Sequence, residues 1–209
     1  MIDELTQAIK LNPSDAIAYY NRGVARYKIG DNQGALDDYT KAIKLNPSDA
    51  IPYYNRGCVR GEMGNKQGAL DDYTKAIKLN PNHAQAYNNR GNARGKMGDY
   101  QGAIEDYTQA IKVNPNHAMA YYNRGKARYE MGDEQGATED YNQAIRLNPK
   151  IKTVYNNREN VREEMGDYRG ATEDYNQASK LNPNGKYTMT TEYEDEENTL
   201  YYFKKVEVE

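Results

Sequence analysis

The stretch AYYNRGVARYKIGDNQGALDDYTKAIKLNP, residues 18–47, returns with edits four more times along the chain. Its Asn-Pro recurs at Asn12-Pro13, Asn46-Pro47, Asn80-Pro81, Asn114-Pro115, Asn148-Pro149 and Asn182-Pro183, always 34 residues apart. A fixed period of this length is the signature of stacked supersecondary units, none of which buries its apolar face alone. Counting positions 1–34 from Ala16, the repeats run 16–49, 50–83, 84–117, 118–151 and 152–185. Residues 1–15 precede them and 186–209 follow.

Each repeat predicts two helices, A and B. Gly at position 15 (Gly30, Gly64, Gly98, Gly132, Gly166) ends helix A, because glycine enters the left-handed conformation at little cost. The Asp or Asn after it is a good N-cap for helix B. Pro at position 32 closes helix B by forcing its predecessor out of the helical region.

On these residues the chain resembles the tetratricopeptide repeat family. Position 4 is Tyr19, Tyr53, Tyr87, Tyr121 and Tyr155; position 24 is Tyr39, Tyr73, Tyr107, Tyr141 and Tyr175. Position 8 is Gly23, Gly57, Gly91 and Gly125, but Glu159 in the fifth repeat, and Ala recurs at positions 20 and 27. The resemblance implies an all-α, right-handed α-solenoid of helix-turn-helix repeats. It also implies a concave groove in which a protein or peptide partner docks.

Two departures from the family concern charge. Positions 7 and 11, usually Leu and Tyr, are both Arg in all five repeats. Position 7 falls in the apolar stripe of positions 3, 7, 10 and 14: Ala18, Arg22, Ala25 and Ile29 in the first repeat, and Ala120, Arg124, Ala127 and Met131 in the fourth. An unpaired guanidinium there is strongly destabilising. Position 23 is Asp throughout, which predicts a ladder of pairs: Arg22 with Asp38, Arg56 with Asp72, Arg90 with Asp106, Arg124 with Asp140 and Arg158 with Asp174.

A second stripe on helix A changes from repeat to repeat, so packing does not dictate it. Position 5 is Tyr20, Tyr54, Asn88, Tyr122 and Asn156; position 9 is Val24, Cys58, Asn92, Lys126 and Asn160. Position 12 is Tyr27, Gly61, Gly95, Tyr129 and Glu163. In the resembled family this face lines the groove. Position 6 is Asn throughout (Asn21, Asn55, Asn89, Asn123, Asn157), and an amide both donates and accepts. That row either reads a ligand backbone or bonds helix to helix. Family members that clamp a C-terminal carboxylate use cations at positions 2, 5 and 6, which are missing here.

Residues 2–11 read as a lone helix B without its helix A. It is either a cap or an open edge that pairs with a second copy, so a self-assembling homodimer is the alternative function. The tail 186–209 carries three basic against seven acidic residues, whereas residues 1–185 are nearly balanced. Its Tyr/Thr/Val-rich runs, 186–193 and 199–208, suggest a β-hairpin, which is marginal alone. It is either a solvated tail or a segment docked on the last helix pair or in the groove.

Composition excludes several classes. With 28 Lys plus Arg against 31 Asp plus Glu, the chain is too balanced for nucleic-acid binding by bulk charge. No apolar run approaches the ~18 residues of a membrane span, and residues 1–20 show no secretory pattern, so the expected location is cytoplasmic. One cysteine, Cys58, excludes an intrachain disulfide or multi-cysteine zinc site. His83 and His117, one repeat apart, read as loop residues. No catalytic, metal or cofactor site is expected, and the chain reads as a non-enzymatic scaffold.

Overall fold

The computed structural model describes residues 1–181 and two short strands, 192–194 and 200–202. The described residues fold as helix-turn-helix repeats of the α-solenoid class, in two bodies. The first body, Met1–Pro115, holds α1 (Ile2–Leu11), α2 (Ala16–Lys28), α3 (Asn32–Leu45), α4 (Ala50–Glu62), α5 (Lys66–Leu79), α6 (Ala84–Gly95) and α7 (Tyr100–Val113). The second, from Asn116, holds α8 (Ala118–Glu130), α9 (Glu134–Leu147), α10 (Lys152–Glu164) and α11 (Tyr168–Leu181). It also contains β1 (Glu192–Glu194) and β2 (Leu200–Tyr202), paired antiparallel with Tyr193 opposite Tyr201. The rest of the expected tail 186–209, namely 186–191, 195–199 and 203–209, lies outside the described residues, and β2 lies against α11.

Helix ends follow local chemistry. Gly30, Gly64, Gly98, Gly132 and Gly166 all have φ between +79° and +83°, the left-handed region that favours glycine. The next residue caps helix B: Asp31 accepts from Gly34 N at 2.9 Å, and Asn65, Asp99 and Asp133 do the same in their repeats. Helix A has a cap too. Asp15 and Asp49 accept from the first-turn amides of α2 and α4. His83 and His117 take the same place for α6 and α8, their Nδ1 accepting from Ala86 N and Ala120 N at 3.3 Å. Both histidines are therefore helix caps rather than plain loop residues. Burial lowers both pKa values from the ordinary 6.5, which keeps Nδ1 an acceptor.

Within each repeat, helices A and B approach at position 8. A Cβ added to Gly23 would lie 2.7 Å from Tyr39 Cε1, and one on Gly125 2.8 Å from Tyr141 Cε1. Tyr39, Tyr73, Tyr107 and Tyr141 are buried against these glycines. In the fifth repeat Glu159 stands there instead, and Tyr175 is only half-buried. The predicted stripe needs one correction. Ala18 and Ala25 are buried, but Ile29 is 71% exposed and Met131 51%, because position 14 is the end of the helix.

The Arg–Asp ladder forms in all five repeats. Arg22 grips Asp38 bidentately, Nε to Oδ2 at 2.9 Å and Nη2 to Oδ1 at 2.7 Å. Arg56 holds Asp72 and Arg124 holds Asp140 at the same distances. Arg90 with Asp106 and Arg158 with Asp174 repeat the fork. The five aspartates are buried. The position-11 arginine completes each site: Arg26 Nη1 reaches Asp38 Oδ2 at 3.0 Å and Arg60 Nη1 reaches Asp72 Oδ2 at 2.9 Å. The position-7 arginine also ties a repeat to the helix B before it, as Arg22 does to Thr6 and Arg56 to Thr40, both at 3.1 Å. A buried charge is tolerable only when partnered this fully.

Candidate binding face of the A helices

The A helices are joined by polar bonds between residues 35 apart. In the first body, Asn55 Nδ2 donates to the Tyr20 hydroxyl at 3.1 Å and Asn89 Nδ2 to the Tyr54 hydroxyl at 3.2 Å. In the second, Asn157 Nδ2 donates to the Tyr122 hydroxyl at 3.2 Å. Three of the five position-6 amides thus spend a donor on the preceding repeat, which favours their helix-to-helix role over reading a ligand backbone. A parallel tie runs from position 12 to position 13 of the following repeat. The Tyr27 hydroxyl donates to Glu62 and the Tyr129 hydroxyl to Glu164. Each carboxylate raises the pKa of its phenol to about 12.

Tyr20, Tyr54 and Tyr122 are half-buried. Their rings lie 6.0, 6.0 and 6.1 Å from Tyr39, Tyr73 and Tyr141 of helix B, within the range of aromatic pairing. One ring face of Tyr54 also meets His83 at 4.5 Å. Val24 and Tyr27, half-buried, pack on the core formed by Ala35, Tyr39 and Val59. Asn88 is buried, unlike the groove residue expected there, and donates to Asn89 Oδ1 at 3.2 Å. Asn21, Lys126 and Asn160 are exposed; Cys58, Asn89, Asn92, Asn123, Asn156 and Asn157 are half-buried. Lys126 Nζ sits 5.9 Å from the Tyr122 ring centre.

Two cavities open on this face. In the first body, one of about 230 Å³ lies among α4, α5 and α6, lined by Cys58, Gly61, Glu62, Lys66, Ala69, Tyr73, Asn89, Asn92, Ala93 and Lys96. In the second body, one of about 140 Å³ is lined by Lys126, Tyr129, Glu130, Tyr141, Asn157 and Asn160. Burial pushes the Cys58 thiol up from its usual range, against the bonds offered by Tyr73, Tyr54 and Asn89. Cys58 is therefore a weakly reactive wall residue. Glu62, Lys66, Tyr73 and Lys96 were not among the residues expected from sequence. The available signal was Gly61 at a position that is Tyr in the first and fourth repeats.

Among the described residues, no group of three or more His, Cys, Asp or Glu side chains is placed to hold a metal ion. No described helix is long and apolar enough to cross a membrane.

The sequence profile of the tetratricopeptide repeat matches residues 16–49, 50–83, 84–117 and 118–151. No curated protein sequence matches the chain. Among solved structures, a MamA protein is 26% identical, with a TM-score of 0.73, covering 80% of this chain and 92% of its own. The MamA fragment 41-end of Desulfovibrio magneticus RS-1 is 23% identical with a TM-score of 0.75, covering 80% and 95%. YrrB, described as a tetratricopeptide repeat protein with an unusual peptide-binding site, is 22% identical with a TM-score of 0.74, covering 88% and 95%.

Proposed function

Since the chain belongs to the tetratricopeptide repeat family, we propose that it is a non-enzymatic scaffold that binds an extended segment of a partner protein on the A-helix face. One observation carries this reading. Position 9 differs in every repeat but the third and fifth (Val24, Cys58, Asn92, Lys126, Asn160), yet none of the five is buried. The unchanging residues that face helix A from helix B, such as Asp38 and Ala35, are buried. Packing accounts for the constant set; an external partner accounts for a variable set left open to it. Tyr and Asn suit that task, offering broad contact and adaptable hydrogen bonds with few rotatable bonds. The description of YrrB as having a peptide-binding site is consistent with the same use of the fold.

The five buried aspartates are each held by two guanidinium groups, which gives them a structural role in joining helix A to helix B. A lone, half-buried thiol suits the reducing cytoplasm.

The test is selection of peptides from a displayed random library. Lys126→Glu and Asn160→Arg, both at exposed groove positions, should change which peptides are recovered. Lys44→Glu, exposed on α3, should not. Recovery of the same peptides by all four proteins, or of none by the unaltered chain, would overturn the assignment.

A further inference from the structure

We propose that the cavity among α4, α5 and α6 is a pocket for one tyrosine side chain of the partner segment. This deepens the groove reading and rests on it.

The two cavities of the A-helix face share six repeat positions: 9, 12, 13 and 24 of one repeat, with 6 and 9 of the next. In the first body these are Cys58, Gly61, Glu62, Tyr73, Asn89 and Asn92. In the second they are Lys126, Tyr129, Glu130, Tyr141, Asn157 and Asn160. Two of these positions differ between the cavities, 9 (Cys58 against Lys126) and 12 (Gly61 against Tyr129), and position 12 carries the larger change in side-chain size. With Tyr129 present the space is about 140 Å³; with Gly61 it is about 230 Å³ and extends to Ala69, Ala93, Lys66 and Lys96. The fold therefore carries its own phenol at this place in the fourth repeat, as Tyr129, and lacks one in the second, at Gly61. A space below the roughly 300 Å³ at which small-molecule sites begin admits a single side chain rather than a whole ligand.

The walls match a phenol. Ala69, Ala93 and the Tyr73 ring offer an apolar body, and Glu62 and Lys96 stand among the polar lining. In the second body the resident Tyr129 donates its hydroxyl to Glu164, at position 13 of the next repeat. In the first body that position is Lys96, a donor, whose carbonyl is held by Lys66 Nζ at 3.1 Å. A hydroxyl accepts from a lysine and donates to a carboxylate, so an incoming phenol suits Lys96 and can add a second donor to Glu62 beside the Tyr27 hydroxyl. A benzyl group satisfies neither.

Gly61 makes the idea testable without unfolding the repeat. A Cβ there meets Ala69 Cβ and the Tyr73 hydroxyl at 3.7 Å, ordinary contact. Gly61→Ala leaves the pocket nearly open, whereas Gly61→Tyr restores the phenol seen at Tyr129. The probe is 4-methylphenol, titrated into isotope-labelled full-length chain and followed by NMR, with toluene alongside. A compound of eight heavy atoms should bind at about millimolar strength, and filling a side-chain pocket should weaken it by about tenfold or more. Expected are shifts at Ala69, Ala93 and the Asn89 and Asn92 amides in the unaltered chain and Gly61→Ala, lost in Gly61→Tyr, and weaker for toluene. Shifts that persist in Gly61→Tyr, that never occur, or that toluene matches would overturn the pocket. The peptide selection keeps the two readings apart. Recovered peptides without a tyrosine, bound equally by Gly61→Tyr, leave the groove standing and remove the pocket. Failure to recover any peptide removes the groove, while the 4-methylphenol titration still decides the pocket's chemistry.

Discussion

Asp72→Asn should cost the protein about 3 kcal/mol, near the low end of the range for breaking a buried ion pair. Asp72 is 3% exposed and accepts three charged hydrogen bonds, from Arg56 Nε at 2.9 Å, Arg56 Nη2 at 2.7 Å and Arg60 Nη1 at 2.9 Å. Asparagine keeps the size but removes the charge and one acceptor. The two arginines then fare differently. The Arg60 side chain is 29% exposed and can turn to water, while that of Arg56 is 13% exposed and keeps a neutral amide oxygen, Thr40 and the Tyr53 ring but no counter-charge. The cost is therefore assigned mainly to one stranded guanidinium, which holds the estimate below the ~5 kcal/mol upper bound. The double variant Arg56→Met/Asp72→Leu removes the stranded charge and should recover most of the loss, because a well-packed apolar replacement of a buried pair is often close to neutral. Urea denaturation followed by circular dichroism measures both. Amide exchange in α4 and α5 reports whether the second repeat opens before the rest, as nearest-neighbour stacking predicts. A loss for Asp72→Asn below about 1 kcal/mol, the scale of a solvated surface pair, would refute the account. So would a double variant no more stable than the single one.

The histidine cap and the close helix approach give two further tests. A group whose folded pKa lies below its unfolded value takes up its proton more readily in the unfolded chain. His117 should therefore stabilise the fold fully above about pH 6.5 and lose that contribution as the pH falls from there. His117→Asp, copying Asp15 and Asp49, should reduce the fall in Tm between pH 7 and 5 and stabilise by roughly 0.5–1 kcal/mol at pH 5; an unchanged pH profile would reject the cap. Gly125→Ala should destabilise by about 1–3 kcal/mol in urea, because its Cβ would lie 2.8 Å from Tyr141 Cε1 and 3.2 Å from the Ala137 carbonyl oxygen. The same substitution at Gly61 should instead be neutral or stabilising by up to about 1 kcal/mol, and equal effects at the two sites would undo the argument.

The division between what the residues alone disclosed and what needed coordinates follows the range of each interaction. The 34-residue period, the left-handed glycines and the caps on helix B are local or periodic, so they were legible. The Arg–Asp ladder was legible for another reason: a charge recurring in a small apolar stripe demands a partner, and Asp at position 23 was the constant acid available. The arginine at position 11 lies outside that stripe and raises no such conflict, so its bond to the same aspartate is not legible from the repeat alone. The A-helix face was harder. Whether Asn55 and Asn89 meet a ligand or a neighbouring helix depends on how closely consecutive A helices lie, and no single repeat carries that distance. The histidines could have been read correctly, since Asp15 and Asp49 hold the same register, but imidazole is a rarer cap than carboxylate.

Variation at position 12 proved to have two meanings that one sequence stripe merges. Tyr27 and Tyr129 vary from the other repeats because they tie to Glu62 and Glu164, residues of the next repeat. At Gly61 no side chain among the described residues fills that place, leaving the larger cavity beside Cys58 and Asn92. A variable position in a repeat protein therefore need not be a contact residue. It can be a place where the chain either supplies its own side chain or leaves room for another's. The two cases differ in volume at equal register, and that difference separates a structural tyrosine from a vacant place of the same shape.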